Sequence, residues 1–278
     1  MIMDIPDKSC LTKYPIIFVH GAALRDWERF NYWGRIPNVL ASRGCRFYYG
    51  QQDGWASIEN NADTLNARIT EILRESGADK VNIIAHSKGG IESRYLISSL
   101  GMADVVASLT TVSTPHRGVK TMDLLLKFPS FWFRIVSFFA NRWFRWLGDR
   151  NPDFHSLCRQ LSATYMDTFN QHNPDVDGIY YQSYAGAMRN SFSDMLLLWP
   201  HFFIKIIEGE NDGLVPTSSA QWGNFKGFLR GATSRGVSHA DEVDIRRRRL
   251  SKRMREGYVS DICDIYVSIV EELKQLGY

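Results

Sequence analysis

The chain predicts an α/β architecture, a mainly parallel sheet covered by helices on both faces. Three observations carry that expectation. Short apolar runs rich in β-branched and aromatic residues alternate with longer segments of helical period. Glycines close several of those helical segments. One apolar run passes into a tight turn with a serine at its apex, and a helical pattern follows at once.

In chain order, a strand over 14–19 leads to a helix near 32–42, closed by Gly44. A strand over 45–49 leads to a helix near 58–75. Its apolar residues Ile58, Ala62, Leu65, Ile69, Ile72 and Leu73 share one face, and Gly77 closes it. A strand over 81–85 precedes the serine turn and its helix, and a strand over 105–112 follows. Further strands are expected over 179–184 and 202–207, and a helix near 260–275 ends the pattern. There are no repeats, low-complexity tracts or linkers. The 278 residues, 44% of them hydrophobic, suffice for one large core, so 1–278 reads as a single domain.

Function is most legible at Val81-Asn82-Ile83-Ile84-Ala85-His86-Ser87-Lys88-Gly89-Gly90. Small residues around Ser87 let the chain turn sharply and expose the serine at the tip of the sheet in a strained conformation. A serine needs a base, an acid to orient that base, and N–H groups aimed at the developing oxyanion. The run Tyr14–Val19 ends in His20-Gly21-Ala22, so the N–H groups of Ala22 and Lys88 are the oxyanion candidates. Asp212, in an Asn-Asp-Gly turn after the expected strand 202–207, is the acid candidate, with Glu208, Glu210 and Asp241 as alternatives. His239, in Ser238-His239-Ala240-Asp241-Glu242, is the base candidate. Alone, Asp212 reads as a turn residue and His239 as a solvated loop residue. The order serine, acid, histidine, each after an expected strand, is that of the α/β-hydrolase triad. His86 reads as a packing residue.

The chain resembles the bacterial triacylglycerol lipases of the α/β-hydrolase superfamily, the group of the Pseudomonas and Burkholderia lipases. The resemblance rests on Tyr-Pro-Ile-Ile-Phe-Val-His-Gly at 14–21, Lys-Val-Asn-Ile-Ile-Ala-His-Ser-Lys-Gly-Gly at 80–90 and Ser-Thr-Pro-His-Arg-Gly at 113–118. Asn-Asp-Gly-Leu-Val at 211–215 and Ser-His-Ala-Asp-Glu-Val at 238–243 complete it. It implies the same nucleophile, acid and base, with Ala85 where the family's elbow usually has glycine, and a structural role for His116. It also implies a structural calcium near the histidine loop. Asp241 matches one ligand and Asp194 approximately another, but the family's glutamine four residues on is Ile245 here. Calcium takes six or more oxygens. No other cofactor is implied.

Residues 119–150 carry seventeen large apolar residues, Phe131, Trp132 and Phe133 among them, punctuated by Arg134, Arg142 and Arg145. As core this segment is an extra helix pair. As a functional element it is a helical lid, apolar on its inner face, over the acyl-chain site. The resembling lipases place their lid here. A second apolar insert, Met195–Pro200, is expected in the same neighbourhood.

The net charge of +3 implies no nucleic-acid partner. The run Arg246–Arg249 reads as a solvated face, or as a patch for anionic lipid headgroups. Cys10, Cys45, Cys158 and Cys263 form no metal or redox motif and read as free buried thiols. No apolar stretch is long enough to span a bilayer. The N-terminus shows no signal-peptide pattern, so the chain as it stands reads as cytoplasmic, or as secreted where a leader has been removed.

The expected function is a serine hydrolase cleaving carboxylic esters of lipids, at a lipid–water interface. The alternatives are a short-chain or polyester-type esterase, an acyltransferase using the same acyl-enzyme, and a catalytically silent protein that binds lipid or a partner.

Overall fold

The computed structural model describes residues 7–22, 26, 31–127, 130–146, 148–253 and 256–278; the side chains of Ser130 and Trp132 lie outside the described set. Strand β1 (Ile16–Val19) is wholly buried. Its period of two sends Ile16 and Phe18 into one core cluster and Ile17 and Val19 into the other. Helix α1 (Ile36–Ala41) is shorter than expected, with Pro37 in its first turn, and β2 (Phe47–Tyr49) loses its first two residues. Helix α2 (Ile58–Ser76) forms as its pattern requires. The Ser57 hydroxyl accepts from Asn60 N–H at its start, and Gly77 closes it at φ 66°.

Strand β3 (Val81–His86) feeds α3 (Lys88–Ser98) through Ser87, and β4 (Val106–Val112) follows. Then come α4 (Lys120–Leu126), α5 (Ser130–Trp146), α6 (Phe154–Gln160) and α7 (Ala163–His172). Strand β5 (Tyr180–Gly186), α8 (Leu198–Glu208), α9 (Thr217–Ala220), β6 (Asn224–Leu229) and α10 (Ile262–Gln275) complete the order.

Among the described residues, six strands form one sheet in the order β2-β1-β3-β4-β5-β6, every pair parallel. Helices α1 and α10 cover one face, packing on Phe18, Ile84 and Val112 through Ile36, Leu40, Tyr266 and Ile269. Helices α2 and α3 cover the other, over Val19, Ile83 and Leu109. Burying each such side chain contributes about 1.5–3 kcal/mol. With both faces covered, loops converge at the C-terminal ends of the strands, where Ser87 follows β3; it is buried there rather than exposed as expected.

One expected strand is overturned. Residues 202–207 lie inside α8. Only His201 and Ile204 of that helix are buried, three residues apart on one face, while Phe202, Phe203, Ile206 and Ile207 are exposed. A six-residue apolar run does not by itself distinguish strand from helix. The sheet is completed instead by β6, whose Asn-Phe-Lys-Gly-Phe-Leu carries no β-branched residue. Among the described residues no helix is long and apolar enough to cross a membrane. The four cysteines are buried and free.

Candidate active site

Ser87 has φ 55° and ψ −130°, a conformation that a non-glycine residue holds only when its surroundings over-determine it. They do. Its N–H donates to Val112 O at 3.0 Å, and its carbonyl accepts from Thr114 Oγ1 at 2.7 Å and Gly90 N–H at 3.1 Å. Close packing also fixes the turn. A Cβ at Gly89 would stand 2.4 Å from His20 O, and one at Gly21 would stand 2.7 Å from Ser87 Cβ. The His20-Gly21-Ala22 loop therefore lies against the nucleophile. Lys88 is the first residue of α3, so its N–H has no acceptor within the helix. The backbone thus sets Gly21, which precedes Ala22, and Lys88 beside Ser87.

Asp212 and His239 meet directly. His239 Nδ1 and Asp212 Oδ2 are 2.8 Å apart, and the His239 N–H donates to Asp212 O at 2.9 Å. Asp212 follows α8 rather than a strand, yet its turn is tightly held. Its Oδ1 accepts from Leu214 N–H at 2.9 Å and Val215 N–H at 2.8 Å. Burial raises the Asp212 pKa, but the His239 charge and these hydrogen bonds outweigh it and hold the carboxyl below the usual carboxylate range. The Asp212 carboxylate thus holds the imidazole by Nδ1, with Nε2 as the ring's other nitrogen. Among the alternative acids, Glu208 instead accepts from Thr121, and Asp241 pairs with Arg246.

Behind the imidazole lies a buried polar chain that the sequence reading missed. The His86 ring centroid is 4.4 Å from that of His239. Its Nδ1 is 2.7 Å from Tyr32 Oη and its Nε2 is 2.9 Å from Glu242 Oε2. Ser113 Oγ donates to Glu242 Oε1 at 2.7 Å. Burial, then the Asp212 charge, pushes Glu242 well above the usual carboxylate range. Burial, then the His239 and His20 charges, keeps His86 neutral. Glu242 and His86 thus form a hydrogen-bonded pair behind His239. His86 is buried as expected, but it is a hydrogen-bonded link rather than mere packing. Position 242 lay within a quoted motif, and a carboxylate three residues after the base was the signal available.

His116 lies apart from this cluster, stacked on Trp222 and bonded to Thr111 Oγ1 at 3.0 Å, a structural placement. The arginine run is neither a solvated face nor a headgroup patch throughout. Arg246 pairs with Asp194 and Asp241, Arg247 Nη2 donates to Asn31 O, and Arg249 pairs with Asp261.

These pairings also decide the calcium question. Asp194 and Asp241 do converge, but the Arg246 guanidinium occupies the space between them. The residues present do not fit the ion. A second convergence, of His86, His239 and Glu242 ligand atoms within 4.8 Å, belongs to the triad and its support.

In 119–150, α5 lays Phe144 flat on Trp55 at 3.9 Å and Phe133 against Phe154 and His155. Its inner stripe, Phe133, Ser137, Asn141 and Phe144, contains two polar residues. Its outer side carries Phe131, Phe138, Phe139, Trp143 and Trp146, exposed by 58–75%. The side chain of Trp132 lies outside the described residues. Across the same end, Phe192, Leu196 and Trp199 are also exposed.

The chain matches the family model described as "alpha/beta hydrolase fold" over residues 14–194. It is 28% identical over 259 residues to triacylglycerol lipase 2 of Saccharomyces cerevisiae, a match covering 89% of this chain and 74% of that protein. It is 37% identical over 124 residues to a triacylglycerol lipase of Burkholderia plantarii, covering 43% of this chain and 34% of the relative. Among solved structures, the Staphylococcus hyicus lipase superposes with a TM-score of 0.68 at 17% identity, covering 99% of this chain and 98% of that one. With that match spanning the nucleophile elbow and most of the sheet, the chain belongs to the α/β hydrolase fold family.

Proposed function

We propose that the protein is a serine hydrolase of lipid carboxylic esters, a triacylglycerol lipase or carboxylesterase, that works at a lipid–water surface. The observation that carries the reading is the Asp212 carboxylate 2.8 Å from His239 Nδ1, with the His239 ring 4.4 Å from that of His86, the residue before the strained Ser87 turn. Ser87 Oγ attacks the ester carbonyl while His239 Nε2 takes its proton. The Ala22 and Lys88 N–H groups hold the oxyanion, and His239 returns the proton to the leaving alcohol. Water then repeats the sequence on the acyl-enzyme. The names of the yeast and bacterial relatives, each a triacylglycerol lipase, favour this substrate class.

The lipid surface is proposed from α5 and the 192–199 segment. In water a large apolar patch is costly to expose, and a lipid interface covers it. In this reading residues 119–150 act as an interface-facing insertion of a single catalytic domain, with the outward Phe131 and Phe138 among its contacts, whereas Phe133 packs inward on Phe154 and His155. Hydrolysis of a chain-length series of p-nitrophenyl esters, run beside a triglyceride emulsion, tests the substrate class. Medium and long acyl chains are expected to exceed acetate, with a rate rise on emulsion. Equal rates on all chains and no rise would leave a plain esterase.

A further inference from the structure

Asp194, in the loop after β5, and Asp241, in the loop of His239, face each other, and Arg246 lies between them. Its Nη2 donates to Asp194 Oδ2 and its Nη1 to Asp241 Oδ1. The other carboxylate oxygens are taken within the loops. Asp194 Oδ1 accepts from Leu196 N–H at 3.2 Å. Asp241 Oδ2 accepts from Ser238 N–H at 3.2 Å, and Ser238 Oγ lies 2.9 Å from Asp194 Oδ2 and 3.0 Å from Asp241 Oδ2. Ile245, four residues past Asp241, offers no side-chain oxygen.

We infer that Arg246 is a built-in cation that positions the catalytic histidine loop in place of a bound metal ion. The guanidinium stays protonated at all working pH values. Its planar fork fixes the orientation of both carboxylates as well as their separation. Asp194 is almost fully buried, so removing the cation would leave two carboxylates repelling each other with little water to screen them. Ser238, directly before His239, gives both its N–H and its hydroxyl to this cluster. The cluster therefore fixes the residue next to the base. A second tie, Arg235 Nε to Ser193 O at 3.0 Å, runs along the same seam. Because the cation is covalently attached, the loop stays fixed at any calcium concentration.

The catalytic consequence rests on His239 being the base, whereas ion binding and melting do not. Calorimetric titration of the wild-type protein with calcium, and melting curves with calcium and with chelator, are expected to show no binding and no shift. Arg246→Ala is expected to melt lower. On a soluble ester its kcat should fall about tenfold or more, with KM within about twofold, because a displaced base costs turnover rather than binding. Millimolar calcium should raise the melting temperature of Arg246→Ala and recover part of its kcat, and Arg246→Lys should fall between. Calcium binding or chelator-induced loss of melting temperature in the wild type overturns the inference. So does an Arg246→Ala protein with wild-type melting and kcat. If Arg246→Ala does not fold, the wild-type titration and Arg246→Lys decide. An inactive wild type that ignores calcium would count against the ester-hydrolase reading while leaving the Arg246 inference standing.

Discussion

Around Asp212 and His239, buried polar groups find partners and the backbone is fixed by hydrogen bonds from several directions. On α5 and α8, large aromatic and aliphatic groups are exposed, several of them in ring contact with one another, as Phe138 with Phe139 and Trp143 with Trp146 are. The first region is built to hold one geometry, and it tolerates strain at Ser87 because neighbouring bonds enforce it. The second contributes little to folding, since groups that stay exposed gain no burial energy. Helix α5 has its amphipathicity partly inverted, with Ser137 and Asn141 facing inward and Phe138, Trp143 and Trp146 outward. That arrangement is what the proposed lipid surface would cover.

The contrast breaks most sharply at the nucleophile. Ser87→Ala is expected to reduce ester hydrolysis on the order of 10⁴-fold or more, and His239→Ala by a similar factor, because the two act as a unit. Asp212→Asn should be damaging but less complete. Melting curves of the three proteins should stay near wild type for Ser87→Ala; near-normal turnover in that variant would remove the triad assignment.

Next in size is the core against the cap. Leu65→Ala, wholly buried under the sheet, is expected to cost about 2–5 kcal/mol of stability in denaturant titration. Phe138→Ser, on the outer face of α5, is expected to stay within about 0.5 kcal/mol. The same Phe138→Ser should lower emulsion hydrolysis while leaving p-nitrophenyl acetate hydrolysis intact. A large stability loss with equal rate loss on both substrates would return 119–150 to the core.

A smaller effect is expected from pH. Burial, followed by nearby positive charges, holds His86 and His116 neutral well below their ordinary range. Below about pH 6.5 the unfolded chain binds protons that the native state refuses, so stability falls as pH drops through that value. Each such histidine contributes a slope of up to about 1.4 kcal/mol per pH unit. Glu242 works in the opposite sense. Its raised pKa means stability present at low pH is lost as pH rises through its folded value. His116→Gln, distant from the triad, should flatten the acid limb of the melting-temperature profile by one proton; an unchanged limb would contradict its neutral burial.

Much of this was readable from residues alone, and the failures have physical causes. The strand–serine–helix turn and α2 with its Ser57 and Gly77 ends follow from local signals, and the pairing of Asp212 with His239 follows from their order in the chain after Ser87. Residues 202–207 failed because a short apolar run has no decisive period. Strand β6 failed because an edge strand, packed on one side, needs no β-branched signature. Arg246 was read as one of a charged run, since nothing local indicates that Asp194, fifty-two residues earlier, will meet it. Glu242 was hidden for the same reason. Its partners Ser113 and His86 are more than a hundred residues away in sequence.

The central claim is that Ser87 is a nucleophile activated by His239. Treatment of the native protein with a fluorophosphonate, followed by peptide mass mapping, tests it most directly. A single stoichiometric adduct on Ser87 is expected, absent in Ser87→Ala and strongly slowed in His239→Ala. An unlabelled native protein, or an adduct on another serine, would contradict it.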